Sequence, residues 1–155
     1  MICISKGVKD RLFEWLDIGY SADYSVIKNG INYLKYKDAT PINLDLYNID
    51  NESFIITMVS RFNEAKDHLT LIRAINEIKS LDIKLLLIGD GDNEKVRKTV
   101  EKLDLESKVY FLGFVENVER FIKASDIIVQ SSLWEGFGLA ALEGMAAGKP
   151  VISTN

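Results

Sequence analysis

The sequence predicts an α/β protein built on a doubly wound, Rossmann-like parallel sheet. Three observations carry this expectation. From residue 53 onward, apolar runs of strand length alternate with stretches of helical period. The strand runs are apolar almost throughout, as in strands covered on both faces, and do not alternate with polar residues. Such strand–helix alternation needs crossovers, which are right-handed and lay helices on both faces of one sheet.

Taken in order, residues 53–60 form the first buried strand, rich in β-branched and apolar side chains. Residues 66–80 form a helix with Leu71, Ile72, Ile75 and Ile78 on one stripe. Residues 83–88 are a second strand, and 93–103 a helix with Val96, Val100 and Leu103 on one face. Residues 108–112 are a strand, 118–124 a short helix and 126–130 a strand. Residues 137–147 are an apolar, alanine-rich helix, and residues 150–154 begin a fifth strand. The first fifty residues differ. Residues 2–5 read as a strand end, 8–16 as a helix and 24–27 as a strand before an Asn29-Gly30 turn. Residues 31–51 show little periodicity and mix Pro, Asn, Asp and Tyr. They are expected to be a linker, with a boundary near Asn51.

The expected strand order, counting from residue 53, is 3-2-1-4-5. Strands 1 and 4 are then neighbours, and the chain reverses direction between them. Ligands of open α/β sheets bind beyond the carboxyl ends of strands at such a switch point. Topology alone therefore selects the loops at 61–66 and 131–137. The first carries Arg61 and Lys66 at or just before a helix start, where the partial positive charge disfavours cations by about 0.3–1 kcal/mol. An anionic ligand would remove that conflict. The competing interpretation is a pair of solvated surface cations, partly neutralised by Glu64 and Asp67. The second loop reads Leu133-Trp134-Glu135-Gly136-Phe137-Gly138-Leu139. Its glycines suit backbone approach to a phosphate at a helix N-terminus, and equally a plain tight turn. Glu143 lies eight positions after Glu135, inside a helix of Ala, Leu, Gly and Met. A carboxylate there needs a partner. Sugar hydroxyls would serve, and so would a salt bridge or an exposed helix face.

Two features are set aside. Gly89-Asp90-Gly91 begins like a dinucleotide fingerprint, but Glu94 stands at the third glycine and the run follows strand 2. It is expected to be a strand-to-helix turn beside the cleft. His68, the only histidine, has no second His or Cys nearby and is expected at the surface or as a helix cap. A lone histidine also speaks against epimerase-type acid–base chemistry.

At this point the residues carry a family. Ser132-x-x-Glu135-Gly136-Phe137-Gly138-Leu139-x-x-Leu142-Glu143-Gly144-Met145-Ala146-x-Gly148-Lys149-Pro150-Val151-Ile152 resembles the donor-site signature of group 1 (family 4) glycosyltransferases of GT-B fold. Val59-Ser60-Arg61-Phe62 with Lys66 resembles their basic loop, and Leu86 to Gly91 and Val109 to Val115 resemble the next two strands. Residues 4–8 and 26–31 resemble the end of the family's acceptor domain. The resemblance implies an organisation: 1–51 as the end of an N-terminal acceptor domain plus linker, and 52–155 as a donor-binding domain incomplete at its C-terminus. Both ends are expected to be cut. It implies transfer from a UDP- or GDP-linked sugar to a glycan or lipid-linked acceptor, with retention of configuration. No cofactor and no metal is expected.

The resemblance also implies roles. Arg61 and Lys66 would bind the donor diphosphate and stabilise the leaving phosphate. Glu135 would meet the transferred sugar beside the reacting carbon. Gly136, Phe137, Gly138 and Leu139 would hold phosphate and sugar. Glu143 would take the ribose hydroxyls, and Phe114 and Val115 would lie near the base. Acceptor groups would come from a missing N-terminal domain, so the isolated chain is expected to be inactive, or to act as a nucleotide-sugar-binding module for a separate acceptor-domain chain. Two positions depart from the usual pattern: Ser60 replaces a glycine, and Lys66-Asp67 replaces Lys-Gly.

Bulk properties agree. The 155 residues suit one ordinary domain. Net charge −4 argues against a general nucleic-acid binder. A single cysteine, Cys3, permits no internal disulfide. Apolar runs fall far short of the ~20 residues that span a bilayer. The expected location is cytoplasmic, with peripheral attachment at the inner membrane face for a full-length enzyme.

Overall fold

The computed structural model describes residues 2–16, 25–50 and 52–154. Tyr24 and Asn51, which bound the predicted second strand and the linker, lie outside the described residues.

The elements from residue 53 onward are β3 to β7 and α3 to α6, after β1 (Ile2–Cys3), α1 (Lys6–Leu16), β2 (Ser25–Val26) and α2 (Tyr33–Lys37). They are β3 (Phe54–Val59), α3 (His68–Glu77), β4 (Ile83–Ile88), α4 (Glu94–Lys102), β5 (Val109–Gly113), α5 (Val118–Ala124), β6 (Ile127–Gln130), α6 (Leu139–Ala146) and β7 (Val151–Ser153). The five-stranded sheet is parallel, with order β5-β4-β3-β6-β7, which is the predicted 3-2-1-4-5. β1 and β2 form a separate parallel pair.

Successive strand residues point to opposite faces, and each face has its own core. Met58, Leu85 and Leu87 meet Leu71, Ile72 and Ile75 of α3 and Val96 and Val100 of α4. Ile55, Leu86 and Ile88 face the other way, onto Phe121 of α5 together with Leu44 and Ile49. Near-continuous apolar strands are thus explained, since both faces are dry.

Leu44 and Ile49 belong to the stretch expected to be a linker. Its described residues, 31–50, pack against the sheet. They include α2, capped by Asn32, and a 3-10 turn at Leu44–Tyr47, capped by Asn43. Tyr36 packs with Ile122, Ile128 and Ala147. Lys123 Nζ donates to Lys37 O at 2.8 Å, and Lys35 pairs with Glu119 at 3.0 Å. The segment is a strap across one face of the sheet. Its short helices bury single residues separated by polar turns, so no stripe of helical period appears.

Helix starts differ slightly from the expected ones. The alanine-rich helix begins at Leu139, because Gly138 adopts φ 79, a left-handed conformation that no helix continues. α3 begins at His68 because Asp67 is itself left-handed at φ 43 and caps it, accepting from Thr70 N at 3.3 Å and Thr70 Oγ1 at 2.6 Å. These bonds offset the strain at a position where a glycine would sit without any.

Candidate functional site

The two loops selected by topology meet. After β3 the chain runs through Ser60, Arg61 and a 3-10 turn at Glu64–Lys66; after β6 it runs through 131–138. The Ser131 hydroxyl sits against the carbonyls of Lys66 and Asp67, at 3.1 and 3.0 Å, and Leu133 N donates to Ala65 O at 2.8 Å. These bonds hold Lys66 opposite Glu135, and the two side chains form an ion pair. Ser132 Oγ donates to the same Glu135 oxygen at 2.8 Å.

A cleft of about 380 Å³ opens here, lined by Arg61, Lys66, Glu135, Gly136, Phe137, Gly138, Leu139 and Glu143, among others. Eight of the ten residues expected at the site are therefore together. Phe114 and Val115 are not in the lining. Phe114 is 76% exposed just past β5, two strands away from β3, and Val115 packs against the core cluster under α5. No side chain caps the N-terminus of α6. Its first N–H groups, with Leu139 and Ala140 in the cleft wall, offer free donors and a positive dipole end to an anion. Arg61 projects from the opposite wall, 79% exposed and only loosely paired with Asp90 at 3.5 Å. Ile4 and Val8 of the N-terminal segment lie over Gly136.

Burial of Glu135 raises its pKa, but hydrogen bonds from Lys66, Ser132 and Gln130 and the charge of Lys66 outweigh this. Its carboxyl is held below the usual range, so it is ionised at neutral pH. Gln130 was not singled out by sequence. It ends an otherwise apolar strand, is 5% exposed, and lines the cleft with an unpaired Oε1. A polar residue closing a buried strand was the available signal. Tyr36 was also missed; its hydroxyl donates to Glu143 Oε1 at 2.7 Å.

His68 contradicts its expected surface role. It is 4% exposed, its Nε2 is 3.1 Å from Ser60 Oγ, and its ring stacks on Phe62 at 4.3 Å. It thus grips the residues on both sides of Arg61. A Cβ on Gly89 would lie 2.0 Å from Ser60 O, so the glycine of the expected turn beside the cleft is where two loops touch.

Burial pushes the His68 imidazole down to about 4, with Asp67 opposing and Lys66 adding to the effect. The unfolded chain, near 6.5, then binds this proton before the folded one does. Stability is full above pH 6.5 and falls as pH drops toward 4. The full difference of about 2.5 pH units corresponds to about 3.4 kcal/mol at 1.36 kcal/mol each, of which roughly 2 kcal/mol is lost between pH 7 and 5. Urea midpoints for wild type and His68→Phe should show it. A wild-type slope no steeper than that of His68→Phe would contradict a neutral, buried His68.

Among the described residues, no group of three or more His, Cys, Asp or Glu gathers to hold a metal, and no helix is long and apolar enough to cross a membrane.

The chain is similar in sequence and fold to known glycosyltransferases. The family model for group 1 glycosyl transferases matches residues 42–155. An uncharacterised glycosyltransferase of Methanocaldococcus jannaschii is 34% identical over 128 residues, 81% of this chain and 32% of that protein. N-acetyl-alpha-D-glucosaminyl L-malate synthase of Bacillus anthracis is 34% identical over 136 residues, 85% of this chain and 35% of that protein. The chain thus spans about a third of the length of these relatives. Among solved structures, a Rickettsia africae glycosyltransferase superposes with TM-score 0.86 at 28% identity, covering 99% of this chain and 44% of that one. Anabaena HepE, solved with UDP and glucose, superposes with TM-score 0.86 at 23% identity, covering 98% and 43%. On the family match over most of its length, the chain belongs to the group 1 glycosyltransferases, and its parallel sheet is that of a GT-B protein.

Proposed function

We propose that this chain forms the donor site of a retaining glycosyltransferase that takes a UDP- or GDP-linked sugar. The observation that carries this is one cleft lined by the Lys66–Glu135 pair, Arg61 and the uncapped α6 N-terminus. Two cations and a helix end suit a diphosphate, and ionised Glu135 suits the hydroxyls of the transferred sugar. Arg61 and Lys66 stabilise charge as it develops on the leaving phosphate, which is the role a metal plays in other transferases. Glu143 meets the ribose, and the base extends along the carboxyl edge of the sheet toward Phe114 and Val115. A crystal structure of Anabaena HepE with UDP-glucose, 24% identical to this chain, is consistent with the ligand class. The acceptor, a glycan or lipid-linked saccharide, is bound by groups outside the donor cleft.

Calorimetric titration of the 155-residue chain with UDP and with GDP tests the donor site. Binding at micromolar to low millimolar nucleotide is expected, weakened roughly tenfold by Arg61→Ala, the weight of one charge-assisted contact. No heat at millimolar nucleotide, or an Arg61→Ala chain that binds as tightly as wild type, would sink the proposal. Retention is tested separately, by NMR of the product anomer once acceptor-binding groups are supplied.

A further inference from the structure

Glu143 sits on α6, inside the cleft, yet one of its two oxygens, Oε1, is met from the strap. Tyr36 comes from 107 residues earlier in sequence and is a buried residue, 6% exposed. A phenylalanine would fill that space equally well; only the hydroxyl needs a polar partner. The partner it has is the cleft carboxylate, at 2.7 Å. The strap is well anchored where this happens. Lys123 Nζ donates both to Lys37 O and to Ala147 O, at 2.8 and 3.2 Å, tying α2 and α6 to α5. Burial, the bond to Glu143 and the charges of Glu143 and Glu119 push the Tyr36 phenol well above its usual range, so it remains a donor at any physiological pH.

We propose that Tyr36 is a positioning residue for Glu143, fixing its carboxylate to receive the vicinal hydroxyls of a nucleoside diphosphate's ribose. An ionised carboxylate has roughly four lone-pair sites, and Tyr36 occupies one, so the others remain for the ligand. A glutamate held in one rotamer loses less freedom on binding than a mobile one, and pre-organisation of this kind raises affinity without adding a contact. The proposal rests on the assignment of Glu143 to the ribose made above.

The test uses two probes on the 155-residue chain: a nucleoside diphosphate (UDP and GDP in parallel) and inorganic pyrophosphate, which has no ribose. Tyr36→Phe keeps the ring and removes only the hydroxyl. The expected result is a roughly three- to tenfold rise in nucleotide Kd, less than the full weight of a direct charged contact. Pyrophosphate Kd and the urea midpoint should stay close to wild type. In a Glu143→Ala background, Tyr36→Phe should add nothing. Unchanged nucleotide affinity in Tyr36→Phe overturns the proposal, and so does an equal loss for pyrophosphate or a further loss in the Glu143→Ala background. A wild-type chain that binds pyrophosphate as tightly as nucleotide also overturns it, but leaves the diphosphate site standing. Binding of neither probe defeats the donor-site assignment and this role with it.

Discussion

Lys66→Ala is expected to weaken nucleoside diphosphate binding about a hundredfold, and Glu135→Gln to strengthen it. In the free protein the Lys66 ammonium is engaged by Glu135, with both side chains about a quarter exposed. A diphosphate entering beside Arg61 would share that ammonium. Removing it deletes a partly desolvated charge contact, worth about 2–3 kcal/mol to a charged ligand. It also leaves the negative charge of Glu135 facing the anion. The backbone of the loop should survive, because Ser131 contacts the carbonyl oxygens of Lys66 and Asp67, not the side chain. Glu135→Gln keeps the shape, frees Lys66 and removes the repelling charge, so UDP should bind several-fold more tightly. Calorimetry on both variants decides. A Lys66→Ala chain within threefold of wild type, or a Glu135→Gln chain that binds more weakly, would show that the pair does not serve a diphosphate.

Among the described glycines, Gly89→Ala should be the most damaging change, destabilising by about 3 kcal/mol or more. Gly89 has φ 145, in a region closed to other residues. Its added Cβ would sit 2.0 Å from Ser60 O and 2.7 Å from Ser60 C, both backbone atoms. Neither side has a flexible end to yield. Relief requires separating the loops, which breaks Ser60 N to Ile88 O at 2.9 Å or Gly89 N to Gly113 O at 2.8 Å. Backbone strain of about 1–3 kcal/mol adds to the lost contacts, against a total stability of only about 5–15 kcal/mol. Arg61 follows Ser60, so any variant that still folds should also lose diphosphate affinity. Gly148→Ala is the control: φ is 76, but nothing lies within 4 Å of the added methyl, and about 1 kcal/mol is expected. Urea midpoints of the two variants should differ clearly; equal midpoints would mean that the contact between the two loops is not tight.

The sheet was legible because its strands are buried on both faces. Each apolar run in β3 to β6 then marks a strand by itself, and right-handed crossovers leave few orders for five parallel strands. The switch-point cleft followed from that order, and Arg61, Lys66, Glu135 and Glu143 stood out as charges where topology places a ligand. Side chains whose role depends on a distant partner were not legible. His68 looked like a surface residue because nothing local shows that it will be covered by Phe62 and bonded to Ser60. Tyr36 lay in a stretch without period, where one buried ring per short turn leaves no stripe. Gln130 stood out only as a polar end to an apolar strand.

Hydrophobic period, strand composition and the spacing of Glu135 and Glu143 are local properties, and from the sequence alone they determined the sheet, its order and the wall of the cleft. Tertiary structure decided which groups touch across it. Lys66 meets Glu135 and Tyr36 meets Glu143 across sequence separations of 69 and 107. Gly89 owes its identity to a backbone oxygen from another loop. Such contacts form only after the loops are brought together by packing of the strands beneath them, so no local pattern in the chain encodes them.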